Sequence, residues 1–364
     1  MDAFGPFYDK FADRFRISFI GKLVLSILLG FCFLGLRYIS VMNSGDVKKF
    51  IFGDWSWFLA LLITVVMFCL YYATHIFRNM IPEVLRRIPQ DVTEEDIVVP
   101  IVNTLTNRGF VICGVIFGVV NCCMGITFGI PGDKWFAAST LLFGYFLAGF
   151  VNGLAVFGIY GVLASIKSFS YKINSSIDFT SPDRCGDTAF LGTALMVFSS
   201  VTLIAGVMIS IYILKAPWVS VSPDENVEFV LKAPWGLLNK NLVNVLKAFW
   251  ITFPYMMAFV VLVVPALEIN KILRKYKIRN EGELQKKLVT LQNEIENPET
   301  DSKIRKEKQD DYNYFLEKRK KLYNMRTWPF SAGANTKFLT VISINVCTSI
   351  AGSYKWVNEN CPEI

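Results

Sequence analysis

Histidine is almost missing from this chain: His75 is the only one in 364 residues. One imidazole cannot build a His-rich metal site, and no Ser/His/Asp arrangement or phosphate-cradling glycine loop accompanies it. Charge is scarce too, at 18% of residues, and it avoids the middle of every long apolar run. Pumps and proton-coupled carriers place ionisable groups at depth to relay protons. These absences weigh against that class and against an enzyme, and no metal or cofactor is expected. A disulfide framework is also lacking. Six of the eight cysteines (Cys32, Cys69, Cys113, Cys122, Cys123 and Cys347) lie in apolar runs as packing residues, Cys185 falls in a loop, and Cys361 has no obvious partner.

What is abundant is apolar, at 53% of residues. Segments 17–39, 55–73, 110–130, 135–166, 189–214 and 248–267 are nearly free of charge. Each approaches or exceeds the roughly 20 residues that cross about 30 Å of hydrocarbon as a helix. Every backbone polar group in lipid must be satisfied within its segment, so helices are the expected form. A seventh segment, 338–352, is short and rich in Ser, Thr and Asn, and it crosses only if flanking residues contribute. The fold class is therefore all-α: a polytopic bundle of six or seven spans. The first apolar run is longer than a signal-peptide core and reads as a retained span. Before it, residues 1–16 mix Phe4, Phe7, Tyr8, Phe11 and Phe15 with charges, as an interfacial segment does.

Seven spans with the N-terminus inside place 27 Lys+Arg in the inside segments and 9 in the outside ones. That is the positive-inside pattern of a multi-pass membrane protein with a cytoplasmic N-terminus. Sixteen of the 27 lie in residues 269–326, against 10 Asp+Glu. There Leu284, Leu288, Leu291 and Ile295 form a heptad-like stripe, the stretch from Asn297 to Asp301 reads as a turn, and a second stripe runs through Ile304, Tyr312, Phe315, Leu322 and Tyr323. Two such arms make an antiparallel hairpin over 268–327, set between the bundle of 17–267 and the last span and tail of 328–364. The first arm reads as a continuation of span six, with Pro254 and Pro265 as candidate hinges.

Two basic clusters stand out in the hairpin. One contains Lys271, Arg274, Lys275, Lys277 and Arg279; the other is Lys318, Arg319, Lys320 and Lys321. Attraction to anionic lipid together with topology control explains them, and so does a site for an anionic ligand such as a nucleotide or oligonucleotide. Within the spans, glycines recur at four-residue spacing (Gly114, Gly118, then Gly125, Gly129; Gly149, Gly153) and favour close helix packing. Asn121 and Asn152, near mid-span, suit interhelical hydrogen bonds. In the seventh segment Thr336, Thr340, Ser343 and Cys347 share one face, with Asn345 and Thr348 beside it. This polar stripe fits either a neighbouring helix or the lumen of a pore shared by several copies.

The stretch TSPDRCGDTAFLG, residues 180–192, gathers Asp183, Arg184, Cys185 and Asp187 ahead of an apolar run. Ser181, Pro182 and Asp183 read as a helix start. On the hairpin's side of the membrane, Asp183, Arg184 and Asp187 are also candidates for coupling it to the bundle. Pro-Asp-Arg-Cys-Gly before a span, with Arg326-Thr-Trp-Pro-Phe330 before the last one, resembles a pattern in bacterial polytopic membrane proteins of unassigned function, although Asp187 stands where a second glycine is expected. The architecture is similar to membrane effectors of bacterial anti-phage systems, including the Hailong type. That resemblance implies a homo-oligomeric channel, with a tetramer as first candidate, gated by DNA oligomers from a partner nucleotidyltransferase. The competing expectations are a uniport carrier of a small solute and a membrane-anchored scaffold or sensor.

Overall fold

A computed structural model describes residues 6–42, 55–86, 99, 105–128, 130–131, 135–173, 177–181, 183–215, 229–231, 240–297 and 302–330. The seventh segment and the turn at 298–301 lie outside them. The described residues form eight helices: α1 (Phe7–Arg14), α2 (Phe19–Met42), α3 (Ser56–Leu85), α4 (Asn107–Phe128), α5 (Trp135–Ile173), α6 (Ala189–Lys215), α7 (Lys240–Glu296) and α8 (Ser302–Tyr323). A minimal antiparallel pair, β1 (Ile130–Pro131) with β2 (Phe229–Leu231), joins two connections. Helices α2 to α7 are long and apolar enough to cross a membrane, matching the six runs read from the sequence. The protein is a membrane-embedded helical bundle.

The glycine spacing is explained by the packing of α4 on α5. A Cβ added at Gly118 would lie 2.7 Å from the Phe146 ring, and one at Gly153 would lie 2.5 Å from the Cys113 carbonyl oxygen. Each helix therefore seats the other's bulk where it has no side chain, which replaces the missing hydrophobic drive between helices in lipid. The Asn121 amide donates to the Tyr145 carbonyl at 2.8 Å across this interface.

The most extended element is α7, a single helix of 57 residues that contains both Pro254 and Pro265. At 1.5 Å per residue it is about 85 Å long. Both prolines are buried. A Cβ on Gly206 of α6 would lie 2.9 Å from Pro254 Cβ, so the proline ring packs where α6 is bare. Lost backbone bonds at such prolines are tolerated when neighbouring helices enclose them. Beyond the span, α7 and α8 form the antiparallel hairpin. Lys277 Nζ donates to the Tyr323 and Met325 carbonyls at 2.6 and 3.0 Å. Farther out, Lys287 lies over the Phe315 ring and Lys308 pairs with Glu294 at 2.8 Å. Leu284, Leu288 and Leu322 are buried between the arms, whereas Tyr323 is 72% exposed.

Two apolar cores result. One lies at the hairpin end of the bundle, where Phe77, Leu195, Val261, Leu273, Leu322 and Phe330 meet. The other joins α1, α2, α3 and α5 through Tyr8, Phe33, Ile63, Leu141 and Leu154.

Candidate functional site

The 180–192 stretch folds against residues 325–330, so the two motifs that carry the resemblance meet in space. Helix α6 begins at Ala189, later than a start at Ser181. The intervening turn visits the left-handed region at Arg184 (φ 55), Gly186 (φ 65) and Asp187 (φ 63), which a continuing helix cannot do. One side chain organises it. The Asp183 carboxylate accepts backbone N–H bonds from Cys185 at 2.7 Å, Asp187 at 3.1 Å and Ala189 at 3.1 Å. It caps α6 from six residues upstream, with its charge at the positive helix end. The Arg326 N–H donates to the Arg184 carbonyl at 2.6 Å. Gly192 meets the backbone of Pro329: an added Cβ would be 2.7 Å from the Pro329 carbonyl carbon and 3.0 Å from Phe330 Cδ1, with the carbonyl oxygen closer still. Gly186 is wedged between Ile177, Met325 and Leu273 of α7.

Cys185 is fully buried in this contact. Burial, then the Asp183 charge, push its thiol up to about 11 against the opposing pull of Arg326. It is enclosed as a packing group. Tyr276 of α7 is likewise raised, first by burial and then by Asp178 and Glu283, which sets the 177–181 segment beside the hairpin base. No group of His, Cys, Asp and Glu able to hold a metal occurs among the described residues.

The basic hairpin residues divide into two sets. Lys271 pairs with Glu268 at 2.9 Å, Arg279 with Glu283 at 3.2 Å and Lys321 with Glu317 at 3.1 Å. Lys318 lies 4.4 Å from the Tyr314 ring centroid. Lys277 secures the end of α8, as described above. Arg274, Lys275, Arg319 and Lys320 have no ion-pair partner among the described residues, and all but the half-buried Arg319 are exposed. The contacts of Lys277 and Lys287 place residues 318–321 opposite the middle of the α7 arm, roughly 20 Å along the helix from Leu267. Arg274 and Lys275 lie nearer the bundle. The polar stripe of Thr336, Thr340, Ser343, Asn345 and Cys347 lies outside the described residues.

Two ionic features were not legible in the sequence. Asp9 of α1, only 2% exposed in its side chain, pairs with Lys22 of α2 at 2.5 Å and Arg78 of α3 at 3.0 Å. Asp13 joins the same two cations. Burial works to raise the Asp13 carboxyl, but hydrogen bonds from Arg78 and Lys22 hold it below its ordinary value of 3.8. Arg37, near the end of the first apolar run, is a residue of α2, 1% exposed. Its guanidinium donates to Ser56 Oγ at 3.2 Å, Thr140 Oγ1 at 3.1 Å and the Ala137 carbonyl, tying α2 to α3 and α5. The acceptors lie up to 103 residues away, and no local pattern announces them.

The bundle encloses a cavity of about 400 Å³ between α3, α4, α5, α6 and α7, with α1 at its hairpin end. A second cavity of about 60 Å³ lies beyond it, toward the other face. Asn152, Ile209 and Trp250 line both.

No protein-family model, curated protein or solved structure matches this chain.

Proposed function

We propose that the protein is a homo-oligomeric membrane ion channel whose gate is worked through the basic hairpin by an anionic ligand. The observation that carries this reading is α7, one unbroken helix that is both a wall of the bundle and an arm of the hairpin. A force on the hairpin passes into the membrane without a joint. The hairpin base is also seated on the start of α6 through the Gly186 and Gly192 contacts, so its movement is felt by two spans.

The ligand reading of the basic clusters is supported by their height. The Debye length at physiological ionic strength is about 8 Å. Arg319 and Lys320 stand roughly 20 Å along the helix from the span's end, too far for headgroups to account for them. With the hairpin in the cytoplasm, as the Lys and Arg distribution favours, a nucleotide or DNA oligomer from a partner nucleotidyltransferase is the ligand class. Anti-phage defence is the corresponding role. The ion path lies between copies, because the cavity within one copy has mostly apolar walls.

Purified protein in planar bilayers should give unitary currents whose open probability responds to short DNA oligomers. Replacing Arg274, Lys275, Arg319 and Lys320 together by Gln should abolish that response and its salt dependence while leaving conductance unchanged. Saturable solute flux without unitary currents would replace the channel by a carrier. An intact response in the fourfold variant would remove the hairpin as ligand site.

A further inference from the structure

We propose that the 400 Å³ cavity is a binding site for one long-chain carboxylate, with its acyl chain in the bundle and its head at the hairpin end. This goes beyond conduction, and failure of the bilayer recordings leaves it standing.

The volume falls in the range of ligand sites, about 300–1,000 Å³. The walls are apolar along their length, including Val66, Leu70, Phe110, Phe117, Val201 and Met257. Along α7 they run from Val261 to Trp250. That is about 16 Å at 1.5 Å per residue, close to half of the roughly 30 Å hydrocarbon layer. The cavity is therefore about one leaflet deep, the depth that a single acyl chain occupies in a bilayer.

Apart from Thr202, whose hydroxyl donates to the Phe198 carbonyl of its own helix at 2.9 Å, its polar groups are at the ends. Thr106 and Asn107, at the start of α4, line the hairpin end and are exposed there. Lys10 of α1 lines the same end and is the only charged residue around the cavity among the described residues. The neighbouring acids Asp9 and Asp13 are taken up by Lys22 and Arg78. Lys10 itself has no ion-pair partner among the described residues, and neither it nor the Asn107 amide has a hydrogen bond to one. An ammonium and an amide at the mouth of an apolar tube match a carboxylate head on a hydrocarbon chain. Tyr8 completes the roof. It is buried, and its hydroxyl hydrogen-bonds Thr74 Oγ1 at 3.1 Å.

At the floor, Asn152 borders the small cavity, which Asn121, Tyr145 and Tyr212 also line. At about 60 Å³, that cavity exceeds the 10–15 Å³ that one water needs. The Asn152 amide can thus be hydrated from the far side while the chain fills the near one.

The position of Gly158 permits a clean test. A Cβ there would touch only Phe110 Cε1, at 3.9 Å, so a larger side chain enters free space instead of packed atoms. Purified protein in detergent is titrated with 9,10-dibromostearate at pH 8, and tryptophan emission is followed, because Trp250 lines the cavity. Saturable quenching is expected, its amplitude reduced in Trp250→Phe. Gly158→Leu should weaken binding at least tenfold with an unchanged elution profile. Lys10→Gln should weaken it about fivefold, the equivalent of roughly 1 kcal/mol for one partly solvated charge. Lys10→Gln should leave binding of the matching dibromo-alcohol unchanged. Quenching equal in wild type and Gly158→Leu, or undiminished in Trp250→Phe, would mean contact with the lipid-facing surface only and overturn the site. Equal weakening of acid and alcohol by Lys10→Gln would overturn the carboxylate head.

Discussion

One substitution, made at two glycines, should act in opposite directions. Gly282 lies on the α7 arm of the hairpin, and a Cβ there meets nothing within 4 Å. Alanine in an exposed helix interior is better than glycine by about 1 kcal/mol, so Gly282→Ala should stabilise by up to that amount. Gly192 is also helical, and the same backbone gain is available to it. Its Cβ, however, would enter the Pro329 backbone, at 2.7 Å from the carbonyl carbon and closer to the oxygen. A backbone atom cannot swing aside as a side-chain end can. Overpacking of this kind costs about 1–3 kcal/mol, and parting the 325–330 segment from α6 also loosens the Arg326 to Arg184 hydrogen bond. Less the backbone gain of about 1 kcal/mol, the net expectation for Gly192→Ala is a loss of up to about 2 kcal/mol, so the two variants should differ by about 1–3 kcal/mol. Thermal unfolding in detergent, followed by fluorescence, should show midpoints displaced in opposite directions. Limited proteolysis should release the hairpin sooner in Gly192→Ala. Equal displacements of the two midpoints would refute the close approach of α6 to Pro329.

Three further outcomes are expected. Asp183→Ala strands three backbone donors at the start of α6 and should cost about 2–3 kcal/mol; Asp183→Asn, which keeps one acceptor oxygen, should cost less by the same thermal assay. The depressed Asp13 carboxyl contributes stability that is complete above its ordinary value of 3.8 and lost as pH falls through its lower folded value. Acid should therefore release α1 to protease below about pH 4, with that part of the pH dependence absent in Asp13→Asn. Cys185, buried and with its thiol raised to about 11, should resist alkylation at pH 8 in the folded protein and react only after denaturation, as read by mass spectrometry of the peptide.

The spans were legible because each satisfies its own backbone and shows its length in an uninterrupted apolar run; nothing distant enters that inference. The close-packing faces of α4 and α5 were legible for a similar reason, since glycine at every fourth position marks one helix face, although the pairing of the two helices was not. The start of α6 was not. Ser181-Pro182-Asp183 has the composition of a helix start, yet Arg184, Gly186 and Asp187 all take positive φ, and Asp183 caps from six residues away. Tertiary contact with Leu273 and Met325 holds that turn, and local propensity carries no record of it. Asp9 and Arg37 were hidden more deeply. A charge near a span's end reads as solvated, and its burial is decided by partners far along the chain. At the candidate site, the resemblance to other membrane proteins paired the two motifs, but only the fold supplies the contact between them.

That contact changes how the hairpin can act on the bundle. Coupling through charge draws on a carboxylate that can reach the basic arms, and that of Asp183 is turned inward, accepting three backbone N–H bonds from its own loop and the start of α6. Mechanical links join the hairpin base to the start of α6: the Arg326 to Arg184 backbone bond, the wedge of Gly186 between Leu273 and Met325, and the seating of Gly192 on Pro329. Such links are short-ranged and insensitive to salt, whereas ligand capture by Arg274, Lys275, Arg319 and Lys320 is long-ranged and screened. Ionic strength should separate the two stages. Raising salt should weaken the apparent ligand affinity steeply while leaving the maximal response at saturation unchanged. Gly192→Ala should do the reverse, lowering the maximal response with little effect on affinity or its salt slope. If salt and Gly192→Ala instead moved the same parameter, ligand capture and transmission would be one electrostatic event, and the division of labour drawn from Asp183 would fail.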